Sequence, residues 1–148
     1  MKVAGGLLAL ILSVSTTPTL AGIADSPLPV LVSGQPTFHL YSVPGVVADG
    51  GLGTFFRCTS TDSAAMQVGV ELFGTGGGPP ANDAAAMSLS LVPGGTVTFG
   101  TGPAAGIQID SALGFLGAGS ARILATSKKL ACTVFTADRT NNPPTSMA

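Results

Sequence analysis

The chain has 148 residues, 45% of them apolar and only 9% charged, with 21 Gly, 11 Pro, one His and no Trp. Ordinary soluble domains carry about 25% charged residues, so Ser, Thr, Gly, Asn and Gln must supply most of the solvent-facing surface. Six Lys plus Arg against seven Asp plus Glu leave no basic stripe to neutralise phosphates, which argues against nucleic-acid binding, and the near-neutral, apolar composition argues against charge-driven disorder.

In chain order, residues 1–21 read as an export signal. Lys2 is followed by an apolar run from Leu7 to Val14 and by small or polar residues leading to Thr19-Leu20-Ala21. Thr19 and Ala21 supply the small side chains a signal peptidase needs, which predicts cleavage before Gly22. A cut after Ala24, using Gly22 and Ala24, fits the small-residue rule better and shifts the boundary by three residues. The apolar stretch Gly5 to Val14 is about ten residues, half of the roughly 20 that a membrane-spanning helix needs. No Cys follows Leu20-Ala21-Gly22 to carry a lipid. The mature chain, residues 22–148, is therefore expected to be secreted, extracellular or periplasmic, without a transmembrane anchor.

Beyond the signal, short apolar runs alternate with Gly, Pro and Asn-Asp punctuation, the rhythm of strands rather than helices. The predicted strands are Leu28–Val32, Thr37–Val43, Gly53–Thr59, Met66–Phe73, Met87–Val92, Thr96–Thr101, Ile107–Ile109, Ala121–Thr126 and Leu130–Thr136. In Met66–Phe73, Met66, Val68, Val70 and Leu72 share one face, and Gln67, Gly69 and Glu71 fall on the solvent side. Asn82-Asp83-Ala84-Ala85-Ala86 could open a single helical turn, since Asn or Asp caps and Ala favours helix. Pro93-Gly94-Gly95 suits a tight turn. Thr126-Ser127-Lys128-Lys129 reads as a hairpin that would place Ile123 and Val134 on neighbouring strands. Thr140 to Pro144 is a loop, after which the chain stops abruptly, as if a C-terminal strand were lacking.

The only two cysteines, Cys58 and Cys132, lie in separate strand-like runs. In an oxidising compartment such a pair is read as a disulfide; closing so long a loop removes denatured-state entropy equivalent to roughly 4 kcal/mol. Strands at this density with one inter-strand disulfide predict a single all-β domain over residues 22–148, an antiparallel β-sandwich of roughly seven to nine short strands. Cys58, the alternating Met66-Gln67-Val68-Gly69-Val70-Glu71-Leu72-Phe73, and Leu91-Val92-Pro93-Gly94-Gly95-Thr96-Val97-Thr98-Phe99 together resemble bacterial exported immunoglobulin-like domains, in which a Leu-x-Pro-Gly-x-Thr hairpin follows an alternating strand. The resemblance covers residues 55–101 and implies an immunoglobulin-like sandwich; the Trp that antibody-type domains pack on their disulfide is absent.

No catalytic, cofactor or metal constellation is read from the sequence. Gly100-Thr101-Gly102-Pro103-Ala104-Ala105-Gly106 superficially matches a dinucleotide fingerprint, but it leads into the apolar run Ile107-Gln108-Ile109 and not into a helix that could meet a pyrophosphate. Gly74 to Pro80 lacks the Gly-Lys-Ser/Thr ending of a phosphate loop. His39 is expected on the outer face of its strand with Tyr41. Seven Phe and a single Tyr offer few sugar-stacking platforms. The leading expectation is a non-catalytic structural, adhesive or binding role at the cell surface or in the extracellular or periplasmic space, with self-association, including strand exchange, or a surface partner protein as its contact. The alternatives are a secreted hydrolase using His39 with Ser60, Ser63 or a loop carboxylate, and a calcium or small-ligand module using Asp49 with Asp83 or Asp110.

Overall fold

The computed structural model describes residues 22–114, 117–144 and 146–147, with side chains through residue 144; the export signal expected over residues 1–21 lies outside them. Nine strands and no helix are found among the described residues: β1 (Phe38–Ala48), β2 (Leu52–Ser60), β3 (Met66–Gly74), β4 (Leu89–Leu91), β5 (Thr96–Gly100), β6 (Ser111–Ala112), β7 (Gly117–Ala125), β8 (Leu130–Asp138) and β9 (Ser146–Met147). They form a first sheet of order β1-β7-β3-β4 and a second of order β6-β5-β2-β8-β9. Every pairing is antiparallel except β5 with β6. The chain is the all-β sandwich that its strand rhythm predicts.

The core lies between the sheets and follows the period-two pattern. Met66, Val68, Val70 and Leu72 of β3 and Ala121, Ile123 and Ala125 of β7 meet Phe56 and Cys58 of β2 and Val97 and Phe99 of β5. Each fully buried Phe, Leu, Ile or Val stabilises the fold by about 1.5–3 kcal/mol. Cys58 faces Cys132 directly across the β2–β8 ladder, and the two are disulfide-bonded over a sequence separation of 74. The bridge thus joins neighbouring strands of one sheet.

Polar side chains tie the sheets together at their ends. Thr54 and Thr101 are buried; the Thr54 hydroxyl accepts from Val47 N–H at 2.9 Å, and the Thr101 hydroxyl accepts from Thr54 N–H and donates to Val47 O, both at 3.0 Å. Further along, the Tyr41 hydroxyl of β1 donates to the Leu130 carbonyl of β8 at 2.6 Å. These bonds satisfy backbone groups where strands change sheets.

Several local expectations are corrected. The link from Thr126 to Lys129 is not a hairpin, because β7 belongs to the first sheet and β8 to the second. Ile123 pairs with Tyr41 and Val70, and it reaches the same core as Val134 from the opposite sheet. Val92 to Gly95 is the tight turn expected, with Gly95 N–H donating to Val92 O at 2.9 Å and Gly94 at φ 71°; it also crosses between sheets. Alternation fixes which face of a strand is apolar, but a short link between two such strands serves a ladder or an arch equally well. Leu28–Val32 is not a strand, since Pro27 and Pro29 remove the donors a ladder needs. Ile107–Ile109 is not one either; the pairing falls at Ser111–Ala112.

Candidate functional site

The outer face of the second sheet carries a polar depression. Arg57 and Thr59 of β2 stand opposite Thr98 and Thr96 of β5, and with Gln108 and Asp110 they line an open cleft of about 400 Å³. The Thr59 and Thr96 hydroxyls lie 2.8 Å apart, and Arg57 Nε donates to Thr98 Oγ1 at 3.4 Å. Asp110 is held on the β5 edge by two bonds: its N–H donates to Thr98 O at 2.8 Å, and its carboxylate accepts from Thr98 N–H at 2.7 Å. Asp110 therefore satisfies the stretch of β5 that the short β6 does not pair, while fixing one wall of the cleft. Arg57 is exposed and makes no ion pair among the described residues. Such a surface can hydrogen-bond a partner with its hydroxyls, carboxylate and guanidinium.

The glycine motif after β5 has steric causes. A Cβ on Gly100 would strike Ile109 and Phe55, one on Gly102 would strike the Arg139 guanidinium, and one on Gly106 would strike Pro144. Residues 101–110 contain no helix. The glycines admit close neighbours rather than a phosphate.

The residues weighed for chemistry are scattered. His39 is exposed on β1 as expected, with Nε2 3.0 Å from Ser42 Oγ; Ser60 and Ser63 instead belong to the Asp62 loop. Among the described residues no carboxylate bonds to the imidazole. Asp49 accepts from Gly50 N–H at 2.7 Å. Asp83 caps the single turn expected near Ala84, accepting from Ala85 and Ala86 N–H at 3.0 Å each. With Asp110 bonded to β5, these three carboxylates serve three different segments, and no group of three metal-ligating side chains occurs among the described residues.

Asp62 is the most perturbed acid. The Ser127 hydroxyl, foremost, with Ser63 N–H and the Lys129 ammonium, lowers its pKa to about 2. These bonds join the β2–β3 and β7–β8 crossings. Asp138 is likewise held below the usual carboxylate range, first by the N–H and hydroxyl of Thr140. Both carboxylates are fastened to loops.

The first sheet holds what the sequence reading misses. Glu71, expected on the solvent side, is 4% exposed, and Arg122, opposite it in the β3–β7 register, is 1% exposed. They form a buried ion pair through Arg122 Nε. The guanidinium also lies 5.4 Å from the centre of the Phe73 ring. Its remaining nitrogens donate to the carbonyls of Ile23, Ser26 and Pro27 at 3.1, 3.0 and 2.9 Å. Beside this clasp, Leu31, Ala84 and Leu124 form a second small apolar cluster. The N-terminal segment thus covers the outer face of the first sheet. The available clue was two opposite charges at outward positions of two apolar strands, one of which continues outward as Leu124 and the other as Phe73.

No helix among the described residues is long and apolar enough to cross a membrane. Comparison of the chain with known protein families, with curated proteins and with solved structures finds no match in any of the three.

Proposed function

We propose that this is an exported β-sandwich protein with a non-catalytic structural, adhesive or binding role at the cell surface or in the extracellular or periplasmic space. The observation that carries the reading is the use made of its few charges. Glu71, Arg122, Asp62, Asp83, Asp110 and Asp138 are each bound into the framework. The open Arg57 cleft is left as a polar contact surface. The export part is supported by residues 1–21 and by the disulfide, which forms and persists in oxidising compartments. A surface low in charge opposes contact with other molecules only weakly.

The test is to express the full chain in a bacterial host and follow it through cytosol, periplasm, envelope and medium, counting thiols under denaturing conditions. The reading predicts exported protein with no free thiol, retained on the envelope or associated with itself. Protein confined to the cytosol, or exported protein with two free thiols per chain, contradicts it. A hydrolase activity abolished by His39→Ala would contradict the non-catalytic part.

A further inference from the structure

We infer that the Arg57 cleft is a glycan site, which takes neutral, polyhydroxylated sugar units of a polysaccharide chain. This rests on the contact role proposed for that face and names its ligand.

The chemistry of the six lining groups selects the ligand. Arg57 and Asp110 bring one charge of each sign, so an anion would meet the carboxylate and a cation the guanidinium. The other four, Thr59, Thr96, Thr98 and Gln108, are neutral and both donate and accept. A ligand without charge whose own groups do the same can bond to every one of them, and a sugar ring with adjacent hydroxyls is such a ligand. The two charged groups keep free positions for it. Arg57 Nε donates to Thr98 Oγ1 at 3.4 Å, on a threonine that is 5% exposed. Both Arg57 Nη groups, unbonded among the described residues, are left for the ligand, and adjacent hydroxyls can accept together from the fork of a guanidinium. Asp110 Oδ2 accepts from Thr98 N–H at 2.7 Å, which leaves Oδ1 to accept from a sugar hydroxyl.

The scaffold holds these groups before any ligand arrives. The β2–β5 register sets Arg57 opposite Thr98 and Thr59 opposite Thr96, and Asp110 is bonded to Thr98 through both its N–H and its carboxylate. Little ordering of the wall is left for binding to supply. The volume of about 400 Å³ falls among ordinary small-ligand sites, and the open form admits a unit still joined to its neighbours in a chain. No aromatic side chain lines the cleft, so hydrogen bonds hold the sugar and affinity per site is modest. A polymer, which offers many copies of the unit, is the fitting probe.

The test runs exported protein, expressed from the full chain, through native gels cast with dextran, mannan, galactan, laminarin or the anionic polygalacturonate, with and without added salt. Wild type should be slowed in at least one neutral gel, and salt should not abolish the effect, since screening acts on charges. Arg57→Ala and Asp110→Asn should each weaken that binding about tenfold or more. Asp110→Asn keeps an oxygen to accept from Thr98 N–H, so its unfolding should match wild type. His39→Ala, on the other sheet, should be slowed as wild type is. No slowing in any neutral gel overturns the inference, as does slowing only in polygalacturonate that salt abolishes, or slowing that Arg57→Ala and Asp110→Asn leave unchanged. Wild type retained on washed envelopes, yet slowed by no neutral gel and released by no soluble glycan, overturns the glycan site and leaves the contact role standing. Protein neither retained nor slowed overturns both.

Discussion

On the outer face of the first sheet, Arg122 is buried beneath the Gly22–Pro27 segment, with Glu71 and three backbone carbonyls as partners. On the outer face of the second, Arg57 stands in solvent with Thr98 as its bonded neighbour. Both arginines occupy outward positions of alternating strands. One is framework and the other is surface, and the difference is made by a segment distant in sequence. A strap over the first sheet turns a charged pair into a buried clasp, while the second sheet, uncovered around Arg57, carries its covalent bond on the inner side.

The largest test of this contrast is Arg122→Met. It would leave the Glu71 carboxylate buried without its partner and free three carbonyls, at a cost of about 3–5 kcal/mol read from urea unfolding. A loss no greater than that of Arg57→Ala would mean that the strap does not seal the face. Replacing both Cys58 and Cys132 by Ala comes next, at about 2–4 kcal/mol. Here the loss should be absent from wild-type protein compared with itself in mild oxidant, and reproduced by adding reductant.

A steric pair probes the same difference without touching charge. A Cβ at Gly69 would lie 3.0 Å from the Ala84 carbonyl and 3.1 Å from Leu31, so Gly69→Val should cost about 1–3 kcal/mol by jamming the cover. Ala131→Val, at an exposed position of β8, should stay within about 0.5 kcal/mol. Equal effects at the two sites would erase the distinction between covered and open faces.

A smaller effect is expected in acid. Because the Asp62 pKa is lowered to about 2, its stabilising contribution is complete above the usual carboxylate pKa of 3.8 and is lost as pH falls through about 2. Asp62→Asn should remove that part of the acid transition and leave a flatter stability profile between those two pH values. An unchanged acid limb would show that the loop bonds of Asp62 contribute nothing to folding.

How much of this was legible in the sequence follows from the range of the forces. The β3 face, the turn at Pro93-Gly94 and the Asp83 cap are local, so period, φ preference and side-chain capping expose them. The Cys58–Cys132 bridge is distant but chemically exclusive, since no other thiol competes. The sheet changes between β4 and β5 and between β7 and β8 were hidden, because an arch and a hairpin use the same short polar link. Burial of Glu71 was hidden for a related reason: alternation assigns it to the outer face, but only tertiary packing of Ile23–Val32 and Ala84 decides that this face is covered. The Arg57 cleft was hidden because β2 and β5 are brought together by register, with Asp110 added from a loop.

We propose that the open face makes contact with other molecules while the covered face holds the fold together. The most direct test is retention of exported protein on washed cell envelopes, comparing wild type with Arg57→Ala and with Arg122→Met below its unfolding midpoint. Arg57→Ala should wash off while its unfolding free energy stays within about 0.5 kcal/mol of wild type, and folded Arg122→Met should remain bound. Arg57→Ala retained as well as wild type, or wild type recovered wholly as a free monomer in the medium, would contradict it.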